Sequence, residues 1–282
     1  MGTPMARRLV EAGHRVIGFD VSPEARARAV AFGVTEAKRV EDAVSGADVL
    51  ILMLPDSNIV ESVMKDPEVL SQLGNETIVV DMSSSEPLRT RALANFLKSS
   101  SCEMIDAPVS GGVTGATNGK LTVMVGGSAE LVDDLRPILE VFGKVVHAGP
   151  IGSGHAVKAL NNLLSATHLL ITSEAILAGQ KFGLDPEVML SVFNGSSGRS
   201  GSTENKWPNF ILPETFNSGF ALRLMLKDMK IAVQLAVEGG VPCELGSEAV
   251  ALWAEAAAEL PPGADHTEIA RWLRSQGVRD AS

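Results

Sequence analysis

Lys158 and Asn162 stand four residues apart in the run Gly152-Ser153-Gly154-His155-Ala156-Val157-Lys158-Ala159-Leu160-Asn161-Asn162, so a helix would project both from one face, a turn from each other. A lysine flanked by Val157 and Leu160 is costly to bury as an ammonium ion, which favours the free amine and opens general acid/base chemistry near neutral pH. A single helical lysine is more often a snorkelling surface residue, but this neighbourhood leaves it no wide polar face. In Asp106-Ala107-Pro108-Val109-Ser110-Gly111-Gly112, adjacent glycines let backbone N–H groups converge on an anion and Ser110 adds a hydroxyl; a plain glycine-rich connection is the alternative. Lys227-Asp228 sits in an apolar run from Phe220, where a surface ion pair worth little is the plain reading. Near the start, Gly2 opens a helix, and eighteen residues later Asp20 closes an apolar run, as an acidic residue does when it holds adenosine ribose hydroxyls. There Gly2 would be the third glycine of a G-x-G-x-x-G turn, small so that helix and strand approach closely. One glycine and one aspartate alone are equally an ordinary helix start and strand end.

Other residues point elsewhere. His155 and His168 are assigned to packing or helix-face roles, and Arg199, in a Gly- and Ser-rich stretch, either meets a carboxylate or rides a flexible connection. The two cysteines are far apart and the five histidines lack ligand spacing, so no metal site or disulfide framework is expected. Tyrosine is absent, which excludes mechanisms that need a phenol as proton donor. With 24 Lys and Arg against 34 Asp and Glu the net charge is −10, which argues against a nucleic-acid partner. Apolar runs are too short for a membrane span and no secretory leader is read at the start, so a cytoplasmic protein is expected.

Elements that could position these groups follow from the pattern. Through residue 150, β-branched runs (Arg15–Phe19, Val49–Leu54, Thr77–Val80, Glu103–Ile105, Leu121–Val125, Lys144–Val146) alternate with amphipathic stretches, the signature of a doubly wound α/β sheet. Ser22-Pro23, Glu86-Pro87 and Ser128 read as helix starts. Polar residues close the strands, where such sheets bind ligands. From 151 to 282 no strand is expected. Ser153 to Gly179 reads as one long helix, apolar on most sides and so buried against another helix or a subunit. Further helices are read from Asp185-Pro186, near Phe220, near Glu244, and from Asp265-x-x-Glu268, a capping-box spacing. The expectation is a doubly wound domain over 1–150, with Gly2 and Asp20 placed to suit a dinucleotide, and an all-helical domain over 151–282.

Taken in order, these motifs resemble the β-hydroxyacid dehydrogenases, the family of 3-hydroxyisobutyrate dehydrogenase and tartronate semialdehyde reductase: D-A-P-V-S-G-G matches Asp106 to Gly112, G-x-G-x-x-x-K-x-x-N-N matches Gly152 to Asn162, and K-D matches Lys227-Asp228. The resemblance covers essentially the whole chain. It implies a Rossmann-type sheet, the dinucleotide-binding domain, joined by one long helix to an all-α substrate and oligomerisation domain, and a homodimer or homotetramer. It implies a small β-hydroxy acid as substrate and NAD as cofactor, with NADP as the alternative. Residue by residue, it implies Lys158 as acid/base and Asn162 as its orienting partner; Ser110, Gly111, Gly112 and Lys227 at the substrate; and Gly2, Asp20, Met53, Leu54, Pro55, Ser84 and Lys227 at the cofactor. The chain begins at the equivalent of the final Met-Gly of the family's G-x-G-x-M-G, without the first strand, and a start assigned at an internal Met is the expectation. A non-catalytic dinucleotide-binding or scaffolding protein of the same fold is the competing reading, which the presence of Lys158 and Asn162 disfavours.

Overall fold

A computed structural model describes residues 1–74 and 76–279, so the last three residues of the 151–282 segment lie outside the described residues. The chain forms two compact units, Met1–Lys158 and Ala159–Ser282.

The first unit carries eight strands: β1 (Ile17–Gly18), β2 (Thr35–Glu36), β3 (Val49–Leu52), β4 (Ile78–Asp81), β5 (Glu103–Asp106), β6 (Val109–Ser110), β7 (Leu121–Gly126) and β8 (Gly143–Gly149). They make two sheets, a parallel pair β1-β2 and a six-stranded sheet of order β3-β4-β5-β7-β6 with β8 paired to β7. The larger sheet is mixed: β3, β4 and β5 run parallel, whereas β7 runs antiparallel to β5 and β6. Buried valines, leucines and isoleucines alternate to both faces, giving one cluster around Val80, Ile105, Val123 and Phe142 and another around Val79, Leu93 and Leu97. Among the described residues β1 pairs only with β2 and β3 only with β4. That explains why the strand expected over 15–19 shrinks to two residues: without a second neighbour its flanks have no ladder to join. Ser22 caps the following helix through the Ala25 N–H, and Pro23 occupies its first position, as the sequence indicates.

Ser153 to Phe182 is one helix of 30 residues, three longer than expected, with Gly183 at φ +98° after it. It starts within the first unit and continues as the first element of the second. In the second unit helices Pro186–Asn194, Leu222–Glu238, Glu244–Glu259 and Ile269–Arg279 enclose a core that includes Trp207, Trp253 and Trp272. The long helix sends the stripe through Leu169, Leu170 and Ile176 into the core, and Val157, Leu160, Leu164 and Ile171 are 43%, 42%, 59% and 57% exposed within the single chain. A ten-residue π-helix, Ser202–Ile211, contains Pro208, and no periodicity argument based on 3.6 residues per turn could find it.

Candidate active site

The register Leu52↔Asp81 and Asp81↔Asp106 lines up the carboxyl ends of β3, β4 and β5, so the chain leaves all three strands on one edge of the sheet. Met53, Leu54 and Pro55 follow β3 there, and the Leu54 N–H donates to Ser83 Oγ at 3.0 Å, which ties that turn to the one after β4, where Ser84 is half-buried. Asp81 accepts from the Ser83 N–H and the Ser85 hydroxyl, each at 2.9 Å.

Asp106, the first residue of the Asp106–Gly112 motif, serves the other motif. It is fully buried, and its two oxygens accept the N–H groups of Gly152 (2.6 Å) and His155 (2.7 Å), capping the start of the long helix three residues before Lys158. Burial pushes its carboxyl above the usual range, opposed by the His155 ring and these two amides. His155 sits in the same node: Nδ1 is 2.9 Å from Thr90 Oγ1, Nε2 is 3.2 Å from the Ser83 carbonyl, and the ring lies 3.7 Å from Asp106 and 3.8 Å from Asp81. Its assignment to packing is therefore too weak. It locks the helix start to the ends of β4 and β5, partners that no sequence spacing reveals.

Two glycines make that approach possible. A Cβ on Gly154 would strike the Met124 carbonyl oxygen and lie 2.8 Å from Asp106 Oδ2, and Gly152, at φ +87°, would place one 2.9 Å from the Pro87 carbonyl. Gly2 differs. A Cβ there would meet only Met53 Cγ at 4.0 Å, an ordinary contact. The helix it opens, Gly2–Glu11, has no side-chain cap, which leaves N-terminal N–H groups for an anion. Asp20 follows β1 and is exposed; its Oδ1 accepts the Ser22 N–H, while Arg26 is committed to Glu36 and to the Asp20 carbonyl. An uncapped helix start and an exposed carboxylate past the next strand fit a dinucleotide's pyrophosphate and ribose.

Ser110 is not in a loop: it pairs with Thr122 as the last residue of β6. Gly111 (φ +130°) and Gly112 (φ +63°) then turn the chain into the helix Gly112–Asn118, which has no side-chain cap at its start. The half-buried Ser110 hydroxyl thus stands beside backbone N–H groups at a helix start, an arrangement suited to a carboxylate.

Lys158 is 8% exposed and Asn162, a turn further, 5%. Its apolar flanks Val157 and Leu160, expected to bury it, are themselves exposed. Within the second unit, Asn162 Nδ2 donates to Asp228 Oδ2 at 2.7 Å, and Lys227 Nζ lies 3.1 Å from Asp228 Oδ1. Since a carboxylate can only accept, this contact fixes the Asn162 amide with its nitrogen toward Asp228. Asp228 is 2% exposed, which overturns the reading of Lys227-Asp228 as a surface pair. Of the remaining residues, His168 is exposed, and Arg199 is 63% exposed and pairs with Glu204.

Ser165 and Lys206 belong to none of the sequence motifs. Ser165 stands seven residues past Lys158, and Lys206, on the π-helix, donates to its hydroxyl at 2.6 Å. The detectable signal was the polar series His155, Lys158, Asn162 and Ser165 at helical spacing in an otherwise apolar helix.

Comparison with known proteins finds two family models that together span most of the chain. Residues 1–152 match the NAD binding domain of 6-phosphogluconate dehydrogenase, and residues 152–273 the NAD-binding domain of NADP-dependent 3-hydroxyisobutyrate dehydrogenase. The chain is 38% identical over 255 residues to the 2-(hydroxymethyl)glutarate dehydrogenase of Eubacterium barkeri, covering 90% of this chain and 85% of that one. It is 37% identical over 261 residues to the NAD-dependent L-serine dehydrogenase of Pseudomonas aeruginosa, covering 90% and 88%. Among solved structures, the 3-hydroxyisobutyrate dehydrogenase of Mycobacterium tuberculosis with L-serine superposes with a TM-score of 0.91 at 33% identity, covering 97% and 96%.

Proposed function

Because the chain belongs to the β-hydroxyacid dehydrogenase family, whose members use NAD or NADP, we propose that it oxidises a small β-hydroxy acid of the form HOCH2–CH(X)–COO⁻ to the corresponding semialdehyde, with Lys158 as general base. The observation that carries this reading is the buried Lys158 one turn from an Asn162 that Asp228 holds in place. A bound nicotinamide would supply the acceptor for the hydride that leaves the carbinol carbon. Lys158 Nζ takes the hydroxyl proton and returns it in the reverse direction. Asn162 orients the substrate, the Ser110–Gly112 turn holds its carboxylate, and Lys227 borders it, so that the carbinol is fixed before reaction. Met53, Leu54, Pro55 and Ser84 would border the cofactor from the carboxyl edge of the sheet. The uncapped start of the Gly2 helix would hold its phosphates, and Asp20 would accept hydrogen bonds from its ribose hydroxyls, which favours NAD over NADP.

The relatives named above act on substrates that share this scaffold and differ at X: a carboxyethyl group, an ammonium or a methyl. A homo-oligomer formed through the second unit is part of the same proposal, supported by the exposed apolar stripe Leu160, Leu164 and Ile171 on the long helix. The test is Lys158→Ala. Turnover of 3-hydroxyisobutyrate is expected to fall by about 10²- to 10⁴-fold with NAD affinity retained; wild-type kcat in that variant would remove Lys158 from the chemistry.

A further inference from the structure

Ser165 lies three residues past Asn162 and seven past Lys158, on the same face of the long helix. Its hydroxyl is met by a cation. Lys206 Nζ donates to Ser165 Oγ at 2.6 Å and lies 3.4 Å from the Ser165 carbonyl oxygen. Among the described residues no carboxylate reaches ion-pair distance of this amine. The acidic group that acts on it is Asp265, which already accepts from Ser218, Thr267 and the N–H groups of Gly219 and Phe220. Burial pushes Lys206 down to about 8, against the attraction of Asp265, so it is an ammonium ion at neutral pH that bears an uncompensated desolvation cost. About one turn earlier on the π-helix, Ser202 is 1% exposed and its hydroxyl has no partner among the described residues. A half-buried cation on the hydroxyl of Ser165, seven residues past Lys158, with the unpartnered Ser202 hydroxyl about a turn away on the π-helix and no counter-anion at ion-pair distance among the described residues, forms an arrangement that an anion would complete.

We propose that Lys206, supported by Ser165, receives a second acidic group of the substrate, so that the preferred β-hydroxy acid is a dicarboxylate. This deepens the reading of Lys158 and Asn162 as the reaction centre and rests on it. In HOCH2–CH(X)–COO⁻, a carboxylate carried on X pairs with Lys206. A methyl at X leaves the half-buried ammonium without an anion, and an ammonium at X is repelled by it. Such a polar subsite discriminates far more strongly than a methylene's worth of apolar contact.

The experiment measures kcat/KM for 2-(hydroxymethyl)glutarate, 3-hydroxyisobutyrate and L-serine by nicotinamide absorbance, in wild type, Lys206→Met and Lys206→Arg. Wild type is expected to favour the dicarboxylate over 3-hydroxyisobutyrate by at least about 10-fold. Lys206→Met should cut that ratio by about 10- to 100-fold, mainly through KM, and Lys206→Arg should keep most of it. Without cofactor, the unreactive glutarate should raise the melting temperature of wild type more than butyrate does, and Lys206→Met should abolish the difference. Should Lys206→Met fail to fold, Lys206→Gln and Ser165→Ala read the same ratio. A wild-type preference for either other substrate, or a ratio unchanged in the Lys206 variants, overturns the proposal while activity on 3-hydroxyisobutyrate leaves the parent reading standing. A wild type that oxidises none of the three with either nicotinamide overturns both.

Discussion

Asp228 and Asp265 show how single carboxylates set the chemistry of their neighbours in the second unit. Asp228 takes the Asn162 amide at 2.7 Å and thereby commits that side chain to one orientation. At Asp265, the cost of burial is outweighed by hydrogen bonds from Thr267 and Ser218, which hold its carboxyl below the usual range. Next to it, burial and the Lys206 ammonium push the His266 imidazole down to about 4, although Asp265 and the Phe220 carbonyl favour its charged form. The consequence for stability has a definite sign. His266 binds its proton near 6.5 in the unfolded chain and near 4 in the folded one. As pH falls from about 6.5 to about 4 the unfolded state therefore takes up the proton first, and stability falls by at most about 1.4 kcal/mol per pH unit. Urea unfolding at a series of pH values should show this loss in wild type and a shallower one in His266→Gln; the same slope in both proteins would rule out His266 as its source.

Among the elements, the start of the long helix is a tightly constrained junction in the first unit. Gly152, Gly154 and His155 lie against the ends of β4, β5 and β7 and the start of the Pro87–Lys98 helix, with backbone atoms close enough that a single methyl group has no room. Gly154→Ala would force Met124 or the helix to move, which by the usual cost of overpacking lowers stability by about 1–3 kcal/mol. Because Lys158 is one turn further along, kcat should fall as well. Gly201 supplies the contrast: its φ is −59° and a Cβ there meets nothing within 4 Å, so Gly201→Ala should be neutral or slightly stabilising. Thermal melts and turnover of the two variants side by side check this, and a Gly154→Ala protein with wild-type melting temperature and kcat would show that the junction gives way freely.

For the whole molecule, large apolar side chains are left uncovered in both units, and on helices of the second Leu164 (59%), Ile171 (57%), Val188 (62%) and Val192 (58%) are well exposed. Self-association through Leu164 and Ile171 on the long helix would remove them from water at roughly 25 cal/mol per Å2 of apolar area. Sedimentation should therefore report a dimer or tetramer for the wild type, and Leu164→Glu combined with Ile171→Lys should shift it toward monomer. A wild-type monomer at micromolar concentration would end the oligomer proposal. Among the described residues no helix is long and apolar enough to cross a membrane.

The amino-acid sequence by itself determined the class of fold and the motif residues, because both rest on local physics. Alternating β-branched runs and capped amphipathic stretches form a Rossmann-type sheet followed by helices, and Lys158 and Asn162 share a helix face at any four-residue spacing. Glycines at 152 and 154 mark a close approach, but only the fold says that they approach Pro87, Met124 and Asp106. Burial of Asp228, the node around His155, the π-helix, and the meeting of Lys206 with Ser165 across 41 residues were decided by tertiary structure alone. The physical reason is the same in each case. A side chain's charge state and partners depend on which groups from distant segments displace its water, and residue spacing along one element carries no information about that.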